Sequence, residues 1–133
     1  MRDKQEIRRL PEAELDIMLS VWARGAEGIT APEIARALAR PLTASALHTY
    51  LKRLEERGFV SRTKEGKINR YTALVDKEAY QEREGRSVLE KLYDNSLKRF
   101  TAALYDGGAL SREDLAELRS FLDGLEGEDP SRK

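Results

Sequence analysis

Thr43-Ala44-Ser45-Ala46-Leu47-His48-Thr49-Tyr50-Leu51-Lys52-Arg53-Leu54-Glu55-Glu56-Arg57-Gly58 is the stretch on which the fold turns. Leu47, Tyr50, Leu51 and Leu54 recur at i, i+3, i+4 and i+7, the spacing of one buried face of an α-helix. Thr43 suits the N-cap, where its hydroxyl can accept a first-turn N–H. Gly58 stands where a left-handed C-terminal cap is wanted. The opposite face carries Ser45, Ala46, His48, Thr49, Lys52 and Arg53: small or polar groups first, cations later.

Working downstream, Phe59 to Arg62 and Asn69 to Val75 read as two strands around Thr63-Lys64-Glu65-Gly66-Lys67. Gly66 permits the positive φ of a tight hairpin, and Lys64 and Lys67 make its tip basic. Working upstream, Thr30-Ala31-Pro32-Glu33 has the form of a capping box and opens a short helix with Ile34, Ala35 and Leu38 inward. Arg40-Pro41 stops that helix. A first helix follows Pro11, with Leu15, Met18, Leu19 and Trp22 on one apolar face, and Gly25 and Gly28 close it.

The order is therefore three helices and a basic β-hairpin. It predicts a mainly α chain with a small β-hairpin wing, a winged helix-turn-helix domain over residues 1–75. A second helical region follows from Asp76. Val88, Leu89, Leu92, Tyr93, Leu97, Phe100 and Leu104 form an apolar stripe that Gly107-Gly108 interrupts. Ser111 caps a last helix with Leu115, Leu118, Leu122 and Leu125 on one side. One small winged domain offers little room to bury such a stripe, so residues 76–126 are expected to pair with the same region of a second copy. Residues 1–9 are expected to be a loose arm and 127–133 a disordered tail.

Charge agrees with a localised polyanion site. The 133-residue chain is neutral overall, with 24 Lys plus Arg and 24 Asp plus Glu. Between Thr43 and Tyr71, however, seven cations face three carboxylates, whereas from Ser111 onward four cations face seven. In helix-turn-helix geometry the second helix enters the major groove with its N-terminal residues at base edges. Ser45, Ala46, His48 and Thr49 are then the base-reading candidates. Thr43, Lys52, Arg53, Lys64 and Lys67 are candidates for the DNA backbone.

Other classes are disfavoured. Cysteine is absent and there is one histidine, so disulfides, thiolate metal sites, cysteine nucleophiles and His clusters are excluded. No Gly-rich phosphate loop or nucleophile elbow occurs. The expectation is no enzyme, no cofactor and no metal. No apolar run reaches the roughly 20 residues of a membrane span. Met1 to Arg9 lacks the apolar centre of a signal peptide, so the chain is expected in the cytoplasm.

An ordered set of residues adds a resemblance. Leu10-Pro11-Glu12-Ala13-Glu14-Leu15, Val21-Trp22, Thr49-Tyr50-Leu51-Lys52-Arg53-Leu54, Lys64-Glu65-Gly66, Tyr71-Thr72, Leu92-Tyr93 and Leu110-Ser111 before Asp114-Leu115 resemble the penicillinase-repressor (BlaI/MecI) family over about residues 7–125. The resemblance implies a homodimeric repressor that occupies a pseudo-palindromic double-stranded DNA operator. It maps base reading to Ser45, Ala46, His48 and Thr49, and backbone contact to Lys64 and Lys67. It implies a C-terminal helical dimerisation region, for which the apolar stripes supply Leu89, Leu92, Tyr93, Leu97, Phe100, Leu104, Leu115, Leu118 and Leu122 as candidates. It also implies a membrane metalloprotease as regulatory partner, cutting an Asn-Phe bond. The matching position here is Ala103-Leu104, and the cysteine cluster of copper-responsive relatives is missing. Ser45-Ala46 stands where relatives often carry a lysine and a threonine. Two alternatives stay open: a winged-helix regulator that answers a small ligand, and a winged helix used for protein contacts.

Overall fold

The computed structural model describes residues 9–127. The expected loose arm, apart from Arg9, and the tail, apart from Gly127, lie outside them. Contacts divide the chain into two compact units, the first ending at Gly85 and the second beginning at Arg86.

In the first unit α1 spans Glu12–Arg24, and a single 3-10 turn Gly25–Glu27 leads into a two-residue strand β1, Ile29–Thr30. Then come α2 Ala31–Ala37, α3 Ala44–Glu56, β2 Val60–Glu65, β3 Ile68–Ala73 and the start of α4, Lys77–Tyr93. The sheet is antiparallel in the order β1-β3-β2. β1 joins it through Ile29 opposite Tyr71 and Thr30 opposite Arg70. The hairpin pairs Val60 with Ala73, Arg62 with Tyr71, Lys64 with Asn69 and Glu65 with Ile68. Both strands therefore run further toward the tip than the composition of 63–67 suggests, leaving Gly66 (φ 64°) and Lys67 as a two-residue turn.

Local chemistry sets the helix starts. The Thr30 hydroxyl accepts from the Glu33 N–H at 3.3 Å, and the Glu33 carboxylate accepts from the Thr30 N–H at 3.0 Å, completing the capping box. Thr43 accepts from the Ala46 N–H at 3.0 Å and starts α3. Gly58 ends the following turn with φ 82°.

The core collects Ile17, Met18 and Val21 from α1, Ile34 from α2, Leu47, Leu51 and Leu54 from α3, and Phe59, Val60, Tyr71 and Tyr80. Burying each aliphatic or aromatic side chain contributes about 1.5–3 kcal/mol. Two details depart from the apolar faces read in the sequence. Leu19 is 44% exposed while Glu14, one turn before Met18, is fully buried, so α1 is rotated toward the 14/17/18/21 face; Leu15 and Trp22 still pack at its edge. Ala35 is exposed, and α2 buries only Ile34 deeply. Trp22 donates from its indole N–H to the Val75 carbonyl at 2.8 Å, fixing the chain where it leaves the wing.

In the second unit the remainder of α4 is followed by α5 Leu97–Asp106 and α6 Arg112–Glu126. Asp94 (φ 51°) and Asn95 (φ 64°) break the apolar stripe between α4 and α5. Both are residue types that tolerate the left-handed region. Ser96 then caps α5 by accepting from the Arg99 N–H at 3.1 Å. The stripe nevertheless stays in contact across the break, because the Tyr93 and Phe100 rings lie 5.0 Å apart. Ser111 and Asp114 form a second capping box at α6.

Candidate nucleic-acid interface

The outward side of α3 follows from its inward one. With Leu47, Leu51 and Leu54 buried, the 100° step of the helix puts Ser45, Thr49, Lys52 and Glu56 opposite the core, and all four are exposed. The Thr49 hydroxyl donates to the Ser45 carbonyl at 3.1 Å, a bond it can trade for an outside partner. His48 is exposed on the flank toward the wing, and Ala46 is half-buried on the other flank. Thr43 is exposed and occupied in capping.

Sorting the cations by their partners changes the picture that sequence counting gives. Arg57 reaches Glu14 at 3.1 Å and Arg53 approaches the same carboxylate at 3.8 Å, with the Arg53 guanidinium 5.8 Å from the Tyr50 ring centre. Arg62 is paired with Glu55 at 3.1 Å. Arg70 is paired with Glu65 at 3.1 Å and also donates to the Gly28 carbonyl at 3.2 Å. The four arginines of this segment thus tie elements together. Lys52, Lys64 and Lys67 are exposed and make no ion pair among the described residues. Of the expected backbone contacts, then, Lys52, Lys64 and Lys67 are available, while Arg53 leans toward α1.

The structure also brings together residues the sequence did not single out. Alternation along the hairpin puts Arg62, Lys64, Asn69 and Tyr71 on one face of the sheet. His48, Lys52 and Glu55 lie at i, i+4 and i+7 along the flank of α3. His48, Lys52, Glu55, Arg62, Asn69 and Tyr71 line an open cleft of about 220 Å³. Burial pushes the Tyr71 hydroxyl above its ordinary range, against an Asn69 hydrogen bond acting the other way, so it stays neutral. The Asn69 side-chain oxygen is buried without a donor among the described residues. Strand register, not any local motif, creates this cleft.

The residues expected at a dimer contact sit on a unit without a core. No described residue from Arg86 onward is buried. Leu92, Leu97, Leu118 and Leu122 are exposed, and Leu89, Tyr93, Phe100, Leu104 and Leu115 are half-buried. Phe121, missed by the spacing argument, is 60% exposed. Ala103 and Leu104 lie inside α5. Among the described residues no His/Cys/Asp/Glu group could hold a metal ion, and no helix is long and apolar enough to cross a membrane.

Three short helices, a three-stranded antiparallel sheet and a lysine-tipped hairpin beside an outward polar helix face define a winged-helix protein. The penicillinase repressor family matches residues 10–124, and the chain belongs to that family. It is 28% identical over 121 residues to the penicillinase repressor of Bacillus licheniformis, covering 90% of this chain and 93% of that protein. It is 21% identical over 113 residues to the methicillin resistance regulatory protein MecI of Staphylococcus aureus, covering 85% and 92%. Among solved structures, the DNA-binding domain of the repressor BlaI aligns with TM-score 0.49 and 27% identity, covering 60% of this chain and 94% of that domain.

Proposed function

We propose that this protein is a sequence-specific DNA-binding transcriptional repressor that acts as a homodimer and catalyses no reaction. The observation that carries the reading is the outward side of α3: exposed Ser45 and Thr49 followed by Lys52, beside a wing carrying Lys64 and Lys67, all three lysines exposed and without an ion pair among the described residues. Ser45, Thr49 and His48 offer hydroxyl and imidazole groups to base edges, and Ala46 offers a methyl to a thymine methyl. Lys52, Lys64 and Lys67 neutralise phosphates, with Thr43 and Arg53 at the margins of the contact. Family membership supports the same assignment, and the likeness to the penicillinase repressor of Bacillus licheniformis extends over 90% of the chain.

The division of labour we propose gives DNA binding to the first unit, whose core includes Tyr80 at the start of α4, and dimerisation to the helices from Arg86 to Glu126. It is supported by the absence of buried residues among those described from Arg86 onward and by the exposure of Leu92, Leu97, Leu118 and Leu122. A second copy covering these side chains contributes about 25 cal/mol per Å² of apolar area. A two-fold dimer then sets two α3 helices on half-sites about 34 Å apart, or a multiple of that, on a pseudo-palindromic operator. The protein works in the cytoplasm, where promoters are. A regulatory protease that used the family's cleavage position would have to open α5 at Ala103-Leu104, without the Asn-Phe pair.

Fluorescence anisotropy with a duplex from the protein's own promoter, against a scrambled duplex of equal length, tests the reading. Tighter binding to the promoter, saturating at two chains per site, is expected. Equal affinity for both duplexes contradicts it.

A further inference from the structure

The cleft between α3 and the wing holds a pair of opposite charges where a repressor would want one. Glu55 projects from the same flank as His48 and Lys52, and it holds Arg62 of β2 through the Arg62 Nε at 3.1 Å and 3.3 Å to its two carboxylate oxygens. Neither partner is sealed in: the side chains are 36% and 40% exposed. An exposed pair of this kind contributes little stability, so a stronger anion can displace the carboxylate. The lining offers what a phosphodiester oxygen needs. The Arg62 guanidinium is a fork of donors suited to phosphate, Lys52 is an ammonium without an ion pair among the described residues, and His48 is exposed beside it. The buried Asn69 oxygen beside them meets no donor among the described residues. Two elements proposed to touch DNA at different places, α3 and the wing, also flank this cleft, so a backbone segment passing from one to the other crosses it.

We propose that this cleft is the seat of a single DNA backbone phosphate, gripped by Arg62, Lys52 and His48, and that Glu55 occupies it as a resident anion until DNA arrives. The inference rests on the DNA-binding reading above. Glu55 thereby acts as a brake on sequence-independent affinity. Phosphate contacts supply most of non-specific binding, and a carboxylate that must be displaced lowers that contribution on every duplex equally. Arg62 changes partner during binding and is not a permanent structural tie.

The test uses the full-length protein and its promoter duplex. Glu55→Gln keeps the side-chain shape and removes the charge. It is expected to bind both promoter and scrambled duplexes about three- to tenfold more tightly at low salt, with the slope of log K against log salt steeper by up to about 0.9. Arg62→Gln is expected to weaken both, and the double variant Glu55→Gln/Arg62→Gln is expected to show none of the gain. A scan of single methylphosphonate substitutions is expected to find one phosphate per half-site whose neutralisation erases the Glu55→Gln gain. Melting temperatures within a few degrees of the wild type establish that each variant folds. A folded Glu55→Gln protein that binds no more tightly than the wild type overturns the proposal, as does a scan that finds no such phosphate. A third arm titrates inorganic phosphate into the DNA-free protein while the His48 ring resonances are followed. Saturable shifts at low millimolar phosphate, with the DNA gain untouched by the scan, would assign the cleft to a free anion and overturn the backbone assignment. If the wild type itself binds no duplex, the DNA-binding reading fails; if it binds and Glu55→Gln changes nothing, only the cleft assignment fails.

Discussion

The Arg57 guanidinium, at the C-terminal end of α3, donates to the Glu14 carboxylate of α1 at 3.1 Å, and Glu14 is completely buried. This ion pair spans 43 residues and sets the rotation of the outward helix face against the rest of the first unit. Among the described residues the second Glu14 oxygen has no hydrogen-bond partner, only Arg53 at 3.8 Å. Removing Arg57 therefore strands a buried carboxylate. Arg57→Leu is expected to cost about 2–3 kcal/mol of stability, read by urea denaturation. Combining it with Glu14→Leu is expected to recover most of that loss, because no unpaired charge remains. An Arg57→Leu protein as stable as the wild type would show that Glu14 is solvated by other means.

The start of α4 belongs to the core of the first unit. The Tyr80 hydroxyl accepts from the buried Leu10 N–H at 2.9 Å, and its ring lies 5.7 Å from Trp22 and 6.2 Å from Phe59. Tyr80→Phe leaves that N–H unpaired and is expected to cost about 1–2 kcal/mol. A fragment ending at Val75 loses the ring altogether, whereas one ending at Gly85 keeps it. The longer fragment is expected to melt cooperatively as a monomer and the shorter to melt at least several degrees lower. Equal melting of the two fragments would remove Tyr80 from the core.

Acid should expose the α2 cap. Glu33 accepts from the Thr30 N–H and from Arg24 at 3.0 Å, chiefly through the backbone hydrogen bond, and these hold its carboxyl down from 4.5 to about 2. The unfolded chain binds this proton at higher pH than the folded one does. The stabilisation is thus complete above about pH 4.5 and is lost as pH falls toward 2. Glu33→Gln is expected to flatten the stability profile within that window and to leave its shape above it unchanged. Parallel acid profiles for variant and wild type would contradict the assignment.

Salt should separate Lys64 and Lys67 from Arg70. Lys64 and Lys67 are exposed and unpaired among the described residues, whereas Arg70 is held by Glu65 and the Gly28 carbonyl. Lys64→Ala with Lys67→Ala is expected to reduce the salt slope of DNA binding by up to about 2. Arg70→Gln is expected to leave the slope unchanged and to lower the melting temperature. An unchanged slope in the double lysine variant would take the wing away from phosphate.

Much of the first unit was legible because its signals are local. The Thr30/Glu33 box, the Thr43 cap and the Leu47, Leu51, Leu54 stripe each lie within one helix. What was not legible depends on partners far along the chain. β1 is two residues long and exists because Ile29 meets Tyr71. Glu14 is inside because Arg57 comes to it, so the apolar side of α1 reads one position off at Leu19. The positive count between Thr43 and Tyr71 was right, but its division into tied arginines and open lysines needed the strand register. In the second unit the stripe through Tyr93 and Leu97 looked continuous. Its break rests on Asp94 and Asn95, residue types that also occur inside helices.

The proposed repressor depends most directly on Thr49 reading a base from the outward side of α3. Its affinity effect should be measured as Kd for wild type and Thr49→Ala on the promoter duplex and on a scrambled one, at the same salt. The account predicts a loss of about five- to tenfold or more on the promoter, the scale of a single base contact, and little change on scrambled DNA. Equal losses on both duplexes, or none on either, would contradict it.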